Sequence, residues 1–262
     1  VKKRVDIYLP EKGLAPSREK ARVLVMAGLV SINGIKCAKP SCIVPEGAVV
    51  SVKQSNEFAS RGGRKLQKAL DAFNLDIKGK TAIDIGASAG GFTDCMLKNG
   101  VEYVYAVDVG YGQLSWSLRQ DKRVCVMERQ NARFLTRDMF DRPINFSCID
   151  VSFISLKLIL PAAAEILSPP FTIVALIKPQ FEAGRGSIGK RGVVRDKQAH
   201  IEVIESILEF SRNKGLCIRG VDFSPIKGPK GNIEYLVCLK DCGDNIKPDI
   251  SRIVDTAHEM SV

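Results

Sequence analysis

The densest chemical signal in the chain is Ala82-Ile83-Asp84-Ile85-Gly86-Ala87-Ser88-Ala89-Gly90-Gly91-Phe92-Thr93, an apolar run that breaks into a glycine-rich turn and restarts as a helix at Gly91 or Phe92. Glycine lets a backbone come close to a ligand because it has no Cβ and tolerates positive φ. The spacing is Gly86-x-x-x-Gly90-Gly91 rather than GxGxxG, which argues against a nicotinamide dinucleotide. About twenty residues on, Asp108 ends a second apolar run, where one carboxylate can accept both hydroxyls of a ribose. After a third run Glu128 and Asn131 compete for a base edge, and Asn131 is the better placed. Asp150 and Lys178 end two further runs; a lysine closing five apolar residues is an unusual position for a solvated charge.

These residues need a scaffold that brings strand ends together. Apolar runs at 81–85, 103–107, 124–127, 144–149, 171–177, 216–223 and 233–239 alternate with amphipathic stretches at 64–73, 91–98, 156–167 and 196–213. That alternation predicts an α/β fold with a mostly parallel sheet covered on both faces. The last two runs lack an intervening helix and should close the sheet as an antiparallel hairpin. Strand C-termini in such a sheet open on one crevice, so Asp150 and Lys178 should meet the ligand there.

The first sixty residues read as a separate small α+β unit. Ser17 is a plausible N-cap for a helix over 18–27 that Gly28 stops, Asn33-Gly34 marks a hairpin, and a strand follows over 48–52. Residues 54–64 are polar and glycine-bearing, in the manner of a linker. The division expected is therefore 1–60, with linker, and 61–262.

Charge follows the same division. Residues 1–65 hold 13 Lys/Arg against 5 Asp/Glu, whereas 66–262 hold 26 against 24. A basic surplus confined to one end suits a polyanion. No apolar stretch nears the ~18 residues of a membrane span, and the charged start is unlike a secretory signal, so the expected compartment is the cytoplasm. The eight cysteines form no CxxC pair and lie far from the two histidines; neither a metal site nor a disulfide framework is expected.

Two resemblances sharpen this reading. The basic helix followed by Gly28-Leu29-Val30-Ser31-Ile32-Asn33-Gly34 resembles the RNA-binding domain first described in ribosomal small-subunit protein four. That implies RNA held through its phosphates, with Lys3, Arg4, Arg18, Lys20, Arg22 and Arg64 as candidates. The turn Asp84–Thr93 resembles the Rossmann-like S-adenosylmethionine methyltransferases, and within them the FtsJ-like ribose methyltransferases, although many of those carry proline where Ala89 stands here. The cofactor contacts implied are Asp84, Gly86, Ala87, Ser88, Gly90, Gly91, Phe92, Thr93, Asp108, Asn131 and Asp150. The same resemblance implies a catalytic Lys-Asp-Lys-Glu tetrad, matched in order by Lys65, Asp150, Lys178 and Glu234, with Lys178 as the base or the group that steers the 2′-oxygen.

The motifs at Ser60–Leu66, Asp150–Leu156, Lys178–Glu182 and Gly192–Asp196, behind a small basic domain, resemble the TlyA-type proteins over essentially the whole chain. They imply cytidine 2′-O-methylation of ribosomal RNA, with ribosomal subunits as partner. The glycine- and arginine-rich segment 184–192 is then expected to touch phosphates through Arg185, Lys190 and Arg191. Phe181 is a candidate to stack on a flipped base, and Trp116 is expected to pack in the core. The competing readings are a membrane-active haemolysin, as such proteins are often labelled, and an RNA-binding protein that has lost catalysis.

Overall fold

The computed structural model describes residues 3–52, 57–184, 189 and 192–260. The chain divides into two compact units, Val1–Glu57 and Phe58–Val262.

The first unit contains β1 (Lys3–Arg4), α1 (Val5–Glu11), α2 (Arg18–Met26), β2 (Val30–Ile32), β3 (Ile35–Lys36), β4 (Ile43–Val44) and β5 (Val50–Val52). Ser17 caps α2 by accepting from the Lys20 N–H, and Gly28 follows the helix at φ +67°. The β2–β3 turn carries positive φ at both Asn33 and Gly34, as a two-residue hairpin of matching twist requires. Helix α1 has no counterpart in the sequence reading. It lacks a side-chain N-cap and contains Pro10, so no start signal announces it; burial of Val5 and Leu9 against Ala21, Leu24 and Val25 forms it instead.

The second unit runs α3 (Gly63–Ala72), β6 (Thr81–Ile85), α4 (Gly91–Lys98), β7 (Tyr103–Asp108), α5 (Trp116–Arg119), β8 (Val124–Glu128), β9 (Phe146–Ile149), α6 (Leu156–Ile166), β10 (Thr172–Ile177), α7 (Pro179–Glu182), α8 (Lys197–Asn213), β11 (Cys217–Phe223), β12 (Tyr235–Lys240) and α9 (Ile250–Glu259). Its seven strands lie in the order β11-β12-β10-β9-β6-β7-β8. All the pairings are parallel except those of β12, which runs antiparallel to both β10 and β11. The expected terminal hairpin is present, with its second strand inserted inside the first.

Side chains alternate across each strand. Ile83 and Ile85 enter a core shared with α6, α8 and α9, while Ala82 enters one shared with α3, α4 and α5. Each fully buried aliphatic side chain contributes roughly 1.5–3 kcal/mol, so these two layers supply the unit's stability. Phe58, 5% exposed, belongs to the second layer; the segment read as a linker is anchored from that residue onward. The chain leaves β8 and returns through β9 on the other side of β6, which makes the ends of β6 and β9 the point where strand order reverses, the usual ligand crevice of such sheets.

Candidate active site

The turn after β6 sits against the loop after β9. Gly86 has φ +87°, and a Cβ there would lie 2.5 Å from the Asp150 carbonyl oxygen, so the contact requires glycine. Ser88 also takes a positive φ and donates its N–H to Asp108 Oδ2 at 2.7 Å, while the Gly110 N–H reaches Oδ1 at 2.7 Å. Each carboxylate oxygen keeps a second lone pair for a ligand hydroxyl. Beside this turn a cavity of about 340 Å³ is lined by Gly86, Ser88, Asp108, Gln113, Asn131 and Asp150, within the range of roughly 300–1,000 Å³ typical of small-molecule sites. A neighbouring cleft of about 350 Å³, which includes Ala87, Gly91 and Phe92, shares Ser88, Asp150 and Ser152 with it. Backbone close to a mostly apolar cavity and a carboxylate at the second strand end fit a nucleoside-bearing cofactor.

Three expected contacts line neither space. Asp84 and Thr93 are fully buried and bond one another, the Thr93 hydroxyl donating to Asp84 Oδ2 at 2.6 Å. Asp84 follows Ala82 by two residues, so strand alternation turns it into the α3–α4 layer, below the turn. Burial pushes its carboxyl up to about 7, against the opposing pull of the Thr93 bond. Gly90, at φ +91°, faces Leu114 and Leu118. These three hold the turn from beneath. Asn131 caps the short turn Ala132–Phe134 through its Oδ1 and lines the cavity, whereas Glu128 is engaged by Arg119 and by the Gly112 N–H. Gln113 and Ser152 were not found from sequence; both sit in loops with no periodic signal.

Lys65, Asp150, Lys178 and Glu234 come together. Lys65 Nζ lies 2.5 Å from Glu234 Oε2 and 3.6 Å from Asp150 Oδ2; Lys178 Nζ lies 2.5 Å from Asp150 Oδ1 and donates to Ser152 Oγ at 3.0 Å. The order Glu–Lys–Asp–Lys alternates in sign, and Lys65, Lys178 and Glu234 are 7%, 6% and 1% exposed. Desolvating charges costs several kcal/mol per ion, offset by pairing only in good geometry; such a cluster at the edge of a cleft is the arrangement expected of chemistry rather than of stability. Gly228 makes room for it, since a Cβ there would fall 2.1 Å from Glu234 Oε1. That oxygen is buried with no hydrogen-bond partner among the described residues.

A third space, about 240 Å³, opens between Phe153, Lys178, Phe181, Asn232 and Glu234. Phe153 is 91% exposed at φ +63°, and its ring centroid lies 5.0 Å from that of Phe181. Trp116, expected in the core, is 74% exposed because the single-turn α5 buries only Leu118.

Of the candidate RNA contacts, Lys3 pairs with Glu11, and Arg4 and Arg18 both grip the buried Asp6. The Arg4 bonds hold that carboxyl below the usual carboxylate range. Lys20, Arg22 and Arg64 are exposed. Arg185, Lys190 and Arg191 lie outside the described residues.

The sheet order, the glycine turn and the acid at the end of β7 define a methyltransferase of the Rossmann-like class. The chain belongs to the FtsJ-like methyltransferase family, whose model matches residues 58–241, and an S4 domain matches residues 3–50. S-adenosylmethionine is accordingly its cofactor. It is 47% identical over 266 residues to YqxC of Bacillus subtilis, described as a candidate rRNA methyltransferase, covering 98% of this chain and 95% of that one. It is 44% identical to the 16S/23S rRNA (cytidine-2'-O)-methyltransferase TlyA of Mycobacterium tuberculosis, covering 90% and 89%. A solved Streptococcus thermophilus structure, described as a candidate hemolysin, is 48% identical with a TM-score of 0.77, covering 99% and 96%.

Proposed function

We propose that the chain methylates the ribose 2′-hydroxyl of a cytidine in ribosomal RNA, with Lys65, Asp150, Lys178 and Glu234 as its catalytic residues. The observation that carries this reading is the sign-alternating run of four charges, three of them buried, between the cofactor cavity and the space beside Phe153. Cytidine and the ribosome are supported by the name of the M. tuberculosis relative.

The cofactor supplies a methyl group on a sulfonium, which needs an oxygen nucleophile in line. A ribose hydroxyl is a weak nucleophile until its proton is leaving. With the cofactor bound, its sulfonium would supply the methyl group to the ribose oxygen, and Lys178 would take the proton that this oxygen gives up. Asp150 Oδ1, 2.5 Å away, steadies the ammonium that results. Ser152 fixes the lysine's direction. Lys65 keeps Asp150 and Glu234 apart in charge, and Glu234 Oε1 is available to accept from a sugar hydroxyl. Phe153 and Phe181 offer a face on which an unstacked base can rest. Exposed Lys20 and Arg22 serve phosphates, and the work is done on ribosomal subunits in the cytoplasm.

Among the described residues no helix is long and apolar enough to cross a membrane. The test is incubation with labelled cofactor and ribosomal subunits lacking the modification, followed by mapping of the label. Wild type should label one or a few cytidine riboses, and Lys178→Ala should bind cofactor but transfer nothing; full activity in that variant would remove Lys178 from the reaction.

A further inference from the structure

We infer that Glu182 is a positioning residue, a strut that ties the loop carrying Asp150 to the loop carrying Lys178. The inference rests on the reading of those two residues given above.

Strands β9 and β10 are parallel neighbours, with Ile149 opposite Ala175, so the loops that follow them leave the sheet side by side. Glu182, four residues beyond Lys178, reaches across to the other loop with both oxygens. Its Oε1 accepts the Leu156 N–H at 2.7 Å, and its Oε2 accepts the Ser155 hydroxyl at 2.6 Å. At its other end the Asp150 loop is fixed by the Asp150 N–H, which donates to the Ile85 carbonyl at 3.0 Å. The stretch between is therefore held at both ends.

What lies between is the part of the site that needs holding. Ser152 receives the Lys178 ammonium, and Phe153 sits in the left-handed region, a conformation that costs a non-glycine residue roughly 1–2 kcal/mol. Such strain persists only where the surroundings over-determine it. Capping α6 explains only part of this, since Ser155 accepts the Lys157 N–H as the local cap and Glu182, besides taking the Leu156 N–H, also holds the Ser155 hydroxyl itself. Nor is the placement free of penalty: burial pushes the Glu182 carboxyl up, against the pull of its two bonds and of Lys157. A remote, desolvated acid with both oxygens spent on one neighbouring loop is a strut.

The test uses the full chain with Glu182→Ala, Glu182→Gln and Ser155→Ala. Misplacing reacting groups by about an ångström can slow a reaction by as much as about 100-fold, so Glu182→Ala should lower kcat about 10- to 100-fold. KM for subunits and the cofactor Kd should stay within about threefold. Glutamine keeps an acceptor for Leu156 and offers a donor to Ser155, so Glu182→Gln should recover to within about threefold of wild type. A cap alone would lower stability without this division between kcat and KM. Independently of activity, amide hydrogen exchange over 151–157 should quicken about tenfold in Glu182→Ala while β9 and β10 stay protected. If Glu182→Ala does not fold, Ser155→Ala carries the test, with a kcat loss of about threefold or more and the same local exchange.

Wild-type kcat or unchanged exchange over 151–157 in a folded variant overturns the strut. If the wild type labels no subunit, the proposed function fails, and the exchange result alone then decides the strut.

Discussion

Asp84 offers a clean test of how the cofactor turn is supported, because its ionisation can be removed without changing its shape. In Asp84→Asn the side-chain oxygen still accepts the Thr93 hydroxyl. The wild-type carboxyl moves from an ordinary 3.8 to about 7 because it is fully buried. A group raised in the folded state favours folding while it is protonated. That contribution is complete below about pH 4 and is lost as pH rises through about 7. At about 1.36 kcal/mol per pH unit, wild type should lose roughly 2–3 kcal/mol relative to Asp84→Asn between pH 5 and pH 8. Urea unfolding of both proteins, followed by circular dichroism across that range, measures the difference directly. Because Asp84 lines neither the cavity nor the cleft, cofactor Kd at pH 7.5 should change less than about threefold. Stability curves that stay parallel with pH would refute the protonation argument, and a large loss of cofactor affinity would return Asp84 to the binding surface.

Other substitutions probe the rest of the site. Lys65→Met leaves Glu234, 1% exposed, without its counter-charge; the expected loss is roughly 3–5 kcal/mol in thermal unfolding, largely restored in Lys65→Met/Glu234→Gln, and a loss below about 1 kcal/mol would show that water reaches the pair. Phe153→Gly relieves the left-handed backbone and removes the exposed ring. It should stabilise the protein by about 1 kcal/mol while lowering kcat/KM for subunits, and unchanged turnover would free the ring from any role with substrate. Lys20→Gln/Arg22→Gln should weaken RNA binding and flatten the log–log salt dependence by about 1.4–1.8; an unchanged slope would move the phosphate contacts elsewhere.

Local signals were legible where one strand and one turn sufficed. Helix α4 occupies Gly91–Lys98 and β6 occupies Thr81–Ile85, the bounds that periodicity and glycine gave. Asp150 and Lys178 announced themselves as charges ending apolar runs. The orientation of Asp84 and Thr93 was available in the same pattern, because Asp84 shares a face with Ala82, but the glycine turn drew all its neighbours into the ligand list. Insertion of β12 beside β10 depends on pairing 235–240 with 172–177, which no local window contains. Lys65 stands on a helix, not at a strand end, so only resemblance singled it out. Ser152, Phe153 and Glu182 matter through contacts between two loops, and loops carry no period to read. Helix α9 was missed although its Asp249 cap accepts the Arg252 N–H; a short amphipathic segment near a chain end is easily passed over.

The inserted antiparallel strand has a consequence for synthesis. Lys65 and Glu234 are 169 residues apart, and at ribosomal speeds of about 5–20 residues per second that interval lasts roughly 10–30 s. Throughout it the nascent chain carries Lys65 without the carboxylate it finally grips, and β10, once made, waits as an open sheet edge until β12 follows. A polypeptide that stops before Glu234 has an unfinished cleft, because the strand that follows this residue is the one inserted beside β10.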